Sequence, residues 1–552
     1  MRRRTGKFVA ALVGSAALLL AACGGGGEGG GNGGGDEGKP VVGGSIKVGL
    51  EAEATGLRPW EDSCSAPCYN IMATVFDKLV EATDTGYKPF LAESITANEG
   101  LNEWTVKLRS GIKFHNGVDL TAQTLVDMFE IQKTGSASSS GITSTGLTAV
   151  EKVDDLTVVY KLSKAYAAFD SELERAPLGM VFEPAAAAAD SAAFSLNPVG
   201  TGPFKVQSRD VDNETIVVKN PDYWNKDADG TQLPYLDQVT FTPIPDEGQR
   251  LSALTSGTID AFQTLRQGTI RDARAAGGLK MYEYQGNNTG GGMFNTLVAP
   301  YDDVRVRMGL NMANNQEQVI NALGGTGISA AASQWFSPDS VWYTEDAAAT
   351  YPKFDLEAAK AKLQEYIDDP ARSDKKAAGE KISVELSCPP DPTLTAAMQV
   401  LEAAWTSTGL VDVTLTAFDQ PTHINNAVGD KHNAHCWRWG GEGDPQAGLA
   451  AFFADPATSV GNFPNYVNAE AQALVDEAGK TTDFEVRKAN YSKLMIIMNE
   501  SGIVWYSGHT ATAIAAKQTV NGLTSWKTPD GSTGAGIKGA EARWAFAWVT
   551  AS

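Results

Sequence analysis

The chain has 552 residues, of which 42% are hydrophobic and 20% are charged. This composition excludes a fibrous or wholly disordered protein, and the length allows two or three domains with cores of their own. The formal net charge of −21 argues against a nucleic-acid partner, because nucleic-acid binding depends on basic patches.

The N-terminus has the layout of a secretory signal. A basic stretch, Arg2 to Lys7, precedes an apolar run, Phe8 to Ala22, that is too short to span a bilayer comfortably. Leu20 to Cys23 is similar to a bacterial lipobox, which predicts cleavage after residue 22 and lipidation of Cys23. The alternative is a plain signal peptide with an incidental cysteine. Removal of residues 1–22 brings the net charge near −25, a balance that suits solubility outside the membrane.

A Gly-rich tether and then short strands follow the lipobox. Residues 24–44 are rich in glycine, with a few charges, and cannot bury a core, so residues 23–44 are predicted to be a flexible lipidated tether. Beyond it, alternating or β-branched segments predict strands at Ser45–Leu50, Trp104–Leu108, 154–162 and 214–219. Apolar spacing predicts a helix over Tyr69 to Val80, and Thr121 is placed to cap another.

From about residue 300 helices dominate. Helices are predicted for 303–323, from Asp355 onward, and for 396–407, 468–478 and 484–500; strands are predicted for 382–386, 411–417 and 503–506. The strand, helix and strand between 382 and 417 form a β-α-β unit. The whole pattern indicates an α/β protein of two lobes, the first richer in strands.

Four cysteines remain if Cys23 is lipidated. An even number fits disulfides in an exported protein, and three pairings are possible. We favour Cys64–Cys68 and Cys388–Cys436. The rival interpretation of Cys64 and Cys68 is a metal site, which the absence of a nearby histidine in the sequence disfavours.

Motifs of catalysis are missing from the sequence. It contains no GxSxG elbow, HExxH or phosphate loop, which favours a binding protein over an enzyme. His432, His435 and Cys436 could suggest a metal site, but a strand with Cys436 in a disulfide is the stronger interpretation. We therefore expect neither a cofactor nor a metal.

The most distinctive segment of the sequence is Trp104 to Thr121, WTVKLRSGIKFHNGVDLT. Eight others belong with it: Gly43–Val48, Phe76–Val80, Lys88–Ser94, Asn197–Phe204, Asn220–Trp224, Leu233–Asp237, Leu254–Asp260 and Asp303–Arg307. In their order along the chain, these segments together resemble the bacterial extracytoplasmic peptide- and nickel-binding proteins of ABC importers, the family 5 solute-binding proteins. They run from residue 43 to residue 307.

The resemblance implies a periplasmic-binding-protein-like fold of type II, in the large peptide-binding class. Two α/β lobes would be joined by two crossing strands, and the first lobe would carry an extra subregion. The expected bounds are 45–285 for lobe I, with its subregion at about 75–195, 286–504 for lobe II, and 505–552 for the return to lobe I. Cargo would be captured in the cleft by hinge closure.

The resemblance also implies a cleft carboxylate that pairs the terminal amine of a peptide. The matching segment, Trp437 to Pro445, is one residue shorter than the family pattern between Trp439 and Asp444, so the amine partner is either Glu442 or Asp444. The alternative role for Asp444 is a turn or helix cap before Pro445. The side chains expected to line the cleft, each with ordinary core as its alternative, are Trp60, Phe294, Asn295, Trp437 and Trp439.

These features predict a monomeric lipoprotein on the outer face of the cell membrane. It would bind peptides and deliver them to the permease and ATPase subunits of an importer. A nickel chelate, an oligosaccharide or another solute is the alternative cargo. An extracellular hydrolase on a similar scaffold and a receptor that presents its loaded form to a sensor are more distant alternatives.

Overall fold

The structure, a computed structural model, describes residues 38–62, 64–439, 443–457 and 461–550. The predicted signal peptide, Cys23, most of the tether and Glu442 therefore lie outside the described residues. Within those residues, no helix combines the length and the apolar character needed to cross a bilayer.

Strands and helices share the chain throughout. The strands are β1 (Ser45–Leu50), β2 (Val80–Thr83), β3 (Gly86–Pro89), β4 (Ala92–Ala97), β5 (Glu103–Leu108), β6 (Leu147–Lys152), β7 (Thr157–Leu162), β8 (Phe204–Asp210), β9 (Glu214–Lys219), β10 (Gln238–Pro243), β11 (Ala261–Thr264), β12 (Leu279–Phe294), β13 (Ile382–Cys388), β14 (Val411–Ala417), β15 (Ala434–Trp439), β16 (Val504–Lys517), β17 (Val520–Asn521) and β18 (Trp548–Val549). The helices are α1 (Ala66–Val75), α2 (Ala122–Gln132), α3 (Ser136–Thr145), α4 (Phe169–Glu172), α5 (Ala176–Gly179), α6 (Pro184–Ala189), α7 (Ser191–Leu196), α8 (Glu247–Thr255), α9 (Gln267–Ala276), α10 (Val304–Ala313), α11 (Gln316–Ala322), α12 (Glu345–Thr350), α13 (Leu356–Ile367), α14 (Pro392–Thr406), α15 (Gln420–Val428), α16 (Gln446–Phe452), α17 (Ala469–Gly479) and α18 (Phe484–Ser501).

One ten-stranded sheet runs through the molecule in the order β14-β13-β15-β12-β16-β11-β1-β10-β9-β8. We call the part built on β11, β1, β10, β9 and β8 lobe I, and the part built on β15, β13 and β14 lobe II. The long antiparallel strands β12 and β16 lie between them. The predicted β-α-β unit is confirmed in lobe II, where β13 and β14 pair in parallel on either side of α14.

Each long strand has one end in the core of lobe I and the other in lobe II. Tyr282 of β12 packs in the lobe I core, whereas Met293 of the same strand packs in lobe II. Likewise, Tyr506 of β16 lies in lobe II and Ile514 in lobe I. Because separate cores hold the two ends of each strand, β12 and β16 connect the two lobes. The lobe boundaries predicted at 285/286 and 504/505 fall within these strands and stay a prediction.

Lobe I carries a second sheet, β4-β5-β7-β6, inside the segment predicted as a subregion. Two of the motifs quoted above meet beside it. The backbone N–H of His115 donates to the Gly200 carbonyl at 2.9 Å, and the His115 imidazole lies 3.0 Å from the Gly202 carbonyl. A Cβ on Gly200 would lie 2.1 Å from the carbonyl oxygen of Val75, so this turn needs glycine to approach α1.

Two predicted helices differ from the structure. The helix expected over Tyr69 to Val80 is α1, which begins at Ala66, with Pro67 in its first turn, and ends at Val75. Phe76 is extended because the chain then turns into β2. The helix expected over 303–323 is broken into α10 and α11, because the Asn315 side chain caps α11 by accepting the Gln318 N–H.

Both predicted disulfides are present. Cys64 and Cys68, at a Cα–Cα distance of 5.4 Å, join the loop before α1 to its first turn. Cys388 and Cys436, 5.1 Å apart, join the end of β13 to β15. The second bond ties together two strands of lobe II that face the gap between the lobes.

Candidate functional site

In the part of the chain that the structure describes, the gap between the lobes includes three sizeable cavities. We call them the hairpin cavity, walled by the β2–β3 hairpin of lobe I, the lysine cavity, walled by Lys78 and Lys538, and the arginine cavity, walled by Arg266 and Arg438. Their volumes are about 1330, 360 and 850 Å³ respectively. The first exceeds the 300–1,000 Å³ typical of a small-molecule site, so the gap has room for an extended ligand.

The hairpin cavity is lined by residues of both lobes. Asp84 to Tyr87 and Asp170 face it from lobe I, and Ser337 to Trp342 face it from lobe II. Beside it the Ala167 N–H donates to the Gly479 carbonyl at 2.9 Å, a direct bond between the lobes. Burial raises the pKa of Asp170 to about 6, and the charge of Asp444 adds to the rise.

Asp444 borders both the hairpin and the lysine cavities, but its carboxylate is already paired. Its two oxygens accept from Nη1 and Nη2 of Arg487 at 2.6 Å each, and the Gln446 N–H donates to it at 3.0 Å. The side chains of Asp444 and Arg487 are 6% and 8% exposed. Burial opposes the charge on Arg487, but the Asp444 carboxylate outweighs it and raises the pKa of Arg487. Asp444 is thus part of a buried ion pair at the wall of the cleft.

The lysine cavity is lined by alternating charges. The Lys78 ammonium donates to Glu174 at 2.9 Å, and Lys538 approaches the other oxygen of Glu174 at 3.5 Å. Burial works against the charge on Glu174, yet the two lysines lower its pKa. Burial raises the pKa of the neighbouring Glu541 to about 7. The wall of the cavity thus carries charged groups of both signs.

The arginine cavity holds the Cys388–Cys436 disulfide and Trp437 in its lobe II wall. Trp437 is half-buried, and its ring lies 4.8 Å from that of Phe463. This position agrees with the expectation that Trp437 lines the cleft. Contact with ligand stays a prediction.

Trp60 was expected to line the cleft, and the structure places it elsewhere. It is 5% exposed and packs against Phe182 and Phe194 in the core of lobe I, with ring centroids 4.3 and 5.3 Å away. Its carbonyl accepts the N–H groups of the first turn of α3. Trp60 is therefore a core residue that holds α3 in place.

Phe294, Asn295 and Trp439 are also core residues. Phe294 is fully buried in lobe II, 4.8 Å from the ring of Trp505. The buried Asn295 amide donates to the His432 carbonyl at 3.0 Å, which fastens the end of β12. Trp439, 3% exposed, packs among aromatic rings of lobe II rather than against a cavity. The expectation that these three line the cleft is wrong, because all three are buried in the core of lobe II. Their residue types did not distinguish the two roles, since an aromatic or amide side chain at a strand end suits a core as well as a cleft.

Three histidines cluster behind Trp437. The rings of His423 and His435 stack at 3.5 Å, and His432 lies 5.1 Å from His435. Burial lowers the pKa of all three, in His435 to about 3. Cys436 is in its disulfide, and among the described residues no group of three or more His, Cys, Asp or Glu is arranged to hold a metal ion.

Several cavity residues escaped the sequence analysis. Arg487 gave no signal, because its partner Asp444 is 43 residues away in the chain. Lys78 stood inside a quoted motif without any sign of its role. Arg438 could have been noticed, since it is a charged residue between two tryptophans in a short strand that is otherwise buried or half-buried.

A sheet divided between two lobes, two long strands joining them and cavities in the gap together define a bilobed solute-binding protein. The chain matches the family model "Bacterial extracellular solute-binding proteins, family 5 Middle" over residues 86–460. It belongs to that family. This is a family of binding proteins, and the prediction that the chain is not an enzyme agrees with the membership.

Curated relatives span most of the chain. It is 26% identical over 488 residues to the dipeptide-binding protein of Escherichia coli (strain K12), and this match covers 84% of the chain and 87% of the relative. It is 27% identical over 463 residues to heme-binding protein A of Haemophilus influenzae, which covers 77% and 80%. The dipeptide-binding protein from Pseudoalteromonas sp. SM9913 in complex with Met-Leu superposes with a TM-score of 0.75, 20% identity, and coverage of 92% of this chain and 100% of that one. The last comparison shows the shared fold.

Proposed function

We propose that this protein captures peptides between its lobes and delivers them to the permease of an ABC importer, from an anchor at lipidated Cys23. The observation that carries the proposal is the pair of crossing strands with large cavities on the gap between the lobes. Membership of a family whose relatives include dipeptide-binding proteins supports peptide as the cargo.

Hinge closure supplies the mechanism. A ligand that contacts both lobes binds the closed form better than the open form, and so shifts the population towards closure. The hydrogen bond from the Ala167 N–H to the Gly479 carbonyl joins the two lobes directly, which supports this mechanism. Release at the permease then requires only that the lobes part about β12 and β16.

The pairing of Asp444 with Arg487 supports Glu442 as the partner of a peptide amine. A ligand amine at Asp444 would compete with two short hydrogen bonds from a buried guanidinium. Glu442 comes two residues before Asp444 in the sequence, and Gly443 and Asp444 both border the hairpin and lysine cavities. Glu442→Gln should therefore weaken the binding of peptides with a free amine and leave the binding of N-acetylated peptides unchanged. Equal binding of both peptide forms to the unaltered protein would refute amine pairing.

A second candidate cargo is a bulky non-peptide solute, favoured by the heme-binding relative and by the size of the hairpin cavity. A thermal-shift screen with di- to oligopeptides, nickel chelates, hemin and oligosaccharides separates the two. Cargo at a hundredfold excess over its Kd should stabilise the protein by about 2.7 kcal/mol. A shift with non-peptide solutes alone would overturn the peptide assignment.

Closure and anchoring need their own tests. X-ray scattering should show a smaller radius of gyration with cargo than without it, and an unchanged radius would contradict the hinge mechanism. Expression of Cys23→Ser beside the unaltered chain should move the protein from the membrane fraction to the soluble extracytoplasmic fraction. An unchanged distribution would contradict the lipid anchor.

A further inference from the structure

The two lobes touch each other around the start of α4, beside the hairpin cavity. The Ala167 N–H, two residues before α4, donates to the Gly479 carbonyl at the end of α17. A Cβ on Gly443, in the segment that leads into α16 of lobe II, would lie 2.6 Å from the hydroxyl oxygen of Tyr87 in lobe I. Parting of the lobes at this contact would separate both pairs of groups.

Asp170, in the first turn of α4, brings a carboxylate to this contact without a cation to neutralise it. Its side chain is half-buried and faces the hairpin cavity, which Asp444 faces from lobe II. Within the described residues Asp170 forms no ion pair, and it accepts a hydrogen bond from the Ser171 N–H at 2.8 Å. A partly desolvated carboxylate in this position is unfavourable as long as it stays charged.

The cations that the structure places on the wall of the hairpin cavity are all committed to other carboxylates. They pair as follows: Arg487 with Asp444 at 2.6 Å, Lys480 with Glu477 at 2.9 Å, and Lys538 with Glu174 at 3.5 Å. The other titratable side chains on this wall are acids and tyrosines: Asp84, Tyr87, Glu99, Tyr284 and Asp339. On α4 itself, Glu172 accepts from the Tyr166 hydroxyl at 3.3 Å and lies 3.7 Å from Arg175. These pairings leave Asp170 without a cation of its own.

The electrostatic state of Asp170 depends on lobe II. Burial raises the pKa of Asp170 to about 6, and the charge of Asp444 adds to the rise, while the Ser171 N–H and Arg487 oppose it. Asp444 and Arg487 both belong to lobe II. When the lobes part, Asp170 gains water and loses Asp444 as a neighbour, so its pKa returns towards the ordinary value of 3.8.

We propose that Asp170 links closure of the lobes to the uptake of a proton, so that the protein binds its cargo more tightly in mildly acidic surroundings. This rests on the proposed function, because it requires lobes that close on cargo. Above pH 6 the carboxylate is charged in both forms, and closure carries the full cost of burying it. Between pH 6 and pH 3.8 the closed form alone takes up the proton, so closure becomes more favourable as the pH falls.

A first experiment measures cargo affinity by isothermal titration calorimetry at pH 7 and pH 5. The ligand is the tightest peptide from the screen that carries no Asp, Glu or His side chain. Its affinity should rise about tenfold from pH 7 to pH 5, as expected for one linked proton. Asp170→Asn should bind at pH 7 about as tightly as the unaltered protein binds at pH 5, and should lose most of the pH dependence. A gain of affinity cannot come from a folding defect.

Glu99→Gln is the matched control, because Glu99 lines the same cavity from lobe I but is exposed. This variant should keep the pH dependence of the unaltered protein. An affinity that does not rise in acid, or a rise that survives Asp170→Asn, would overturn the proton linkage.

A second experiment decides where no peptide binds, and it uses X-ray scattering of the cargo-free protein. The radius of gyration should fall from pH 7 to pH 5 in the unaltered protein and in Glu99→Gln. In Asp170→Asn it should be equally small at both pH values. A radius that is independent of pH, or a pH dependence that persists in Asp170→Asn, would then overturn the linkage. A radius that depends on Asp170, together with failure of all peptides, would reject peptide as cargo and keep the linkage.

Discussion

The Asp444–Arg487 pair allows a sharp test of whether Asp444 is structural. Its bonds are bidentate at 2.6 Å, and both side chains are less than a tenth exposed. Removing one partner of such a buried pair leaves an uncompensated charge and typically destabilises a protein by about 3–5 kcal/mol. We expect Asp444→Asn and Arg487→Met each to lose free energy of unfolding in this range. The double variant should lose clearly less than their sum, with a coupling of about 2–3 kcal/mol.

Urea unfolding followed by tryptophan fluorescence measures the cycle. Glu477→Gln is the control, because Glu477 of α17 forms an exposed pair with Lys480, and its loss should leave the stability nearly unchanged. A coupling near zero would refute the view that Asp444 is held by Arg487. Titration of Asp444→Asn with free and N-acetylated peptides then measures whether Asp444 also contributes to ligand binding. A structural role predicts equal weakening of both, whereas loss confined to free amines would show that Asp444 pairs the amine.

Three further predictions concern lobe II. Cys388→Ala should lower the free energy of unfolding by about 4 kcal/mol in the chain-entropy model, since the bond to Cys436 spans a separation of 48 residues, and a urea midpoint that does not move would contradict this. Burial, with smaller contributions from His423 and His432, lowers the pKa of His435 to about 3. The contribution of neutral His435 to stability is therefore complete above the unfolded pKa near 6.5 and is lost as the pH falls from there towards 3. The loss amounts to at most about 1.4 kcal/mol per pH unit. The difference in melting temperature between the unaltered protein and His435→Leu should therefore shrink from pH 7 to pH 5, and a constant difference would be evidence against the sign. Trp437→Ala should weaken cargo binding about tenfold, as measured by calorimetry, whereas Trp437→Phe should keep the affinity of the unaltered protein. Equal affinity of the two variants would contradict the prediction that Trp437 contacts the cargo.

Local pattern was enough to predict most elements. Alternation located β1 and β5, and a capping side chain located the start of α2 at Thr121. The crossing strands were harder to see. β12 contains three consecutive glycines, Gly290 to Gly292, beside β15. A Cβ on Gly292 would lie 2.3 Å from the His435 carbonyl, so the close approach of the strands requires glycine there. Because glycine has no side chain, this part of the sequence lacks the alternation of apolar and polar residues that marks a strand. β16 is buried along nearly its whole length, so it shows no polar face either.

The site was predicted less well than the fold, and the reason is geometric. Trp60 and Phe294 are residue types that suit a ligand wall and a core equally, and only the packing of distant segments decides between them. Charged residues are more informative, because a core tolerates them only with partners. Asp444 was singled out by its motif, yet its partner Arg487 comes from α18 and could not be read from local sequence.

The strand β15 shows how the two kinds of evidence combine. Trp437, Arg438 and Trp439 are consecutive, so side chains alternate between the two faces of the sheet. Trp439 is buried in lobe II, and Arg438 is exposed to the gap, although β15 lies between β13 and β12 in the sheet. A charged side chain so placed needs either an ion partner from the protein or a space that admits water and ligand. Since the described residues supply no hydrogen bond or ion pair for it, the position of Arg438 at the gap between the lobes leaves its guanidinium open to water.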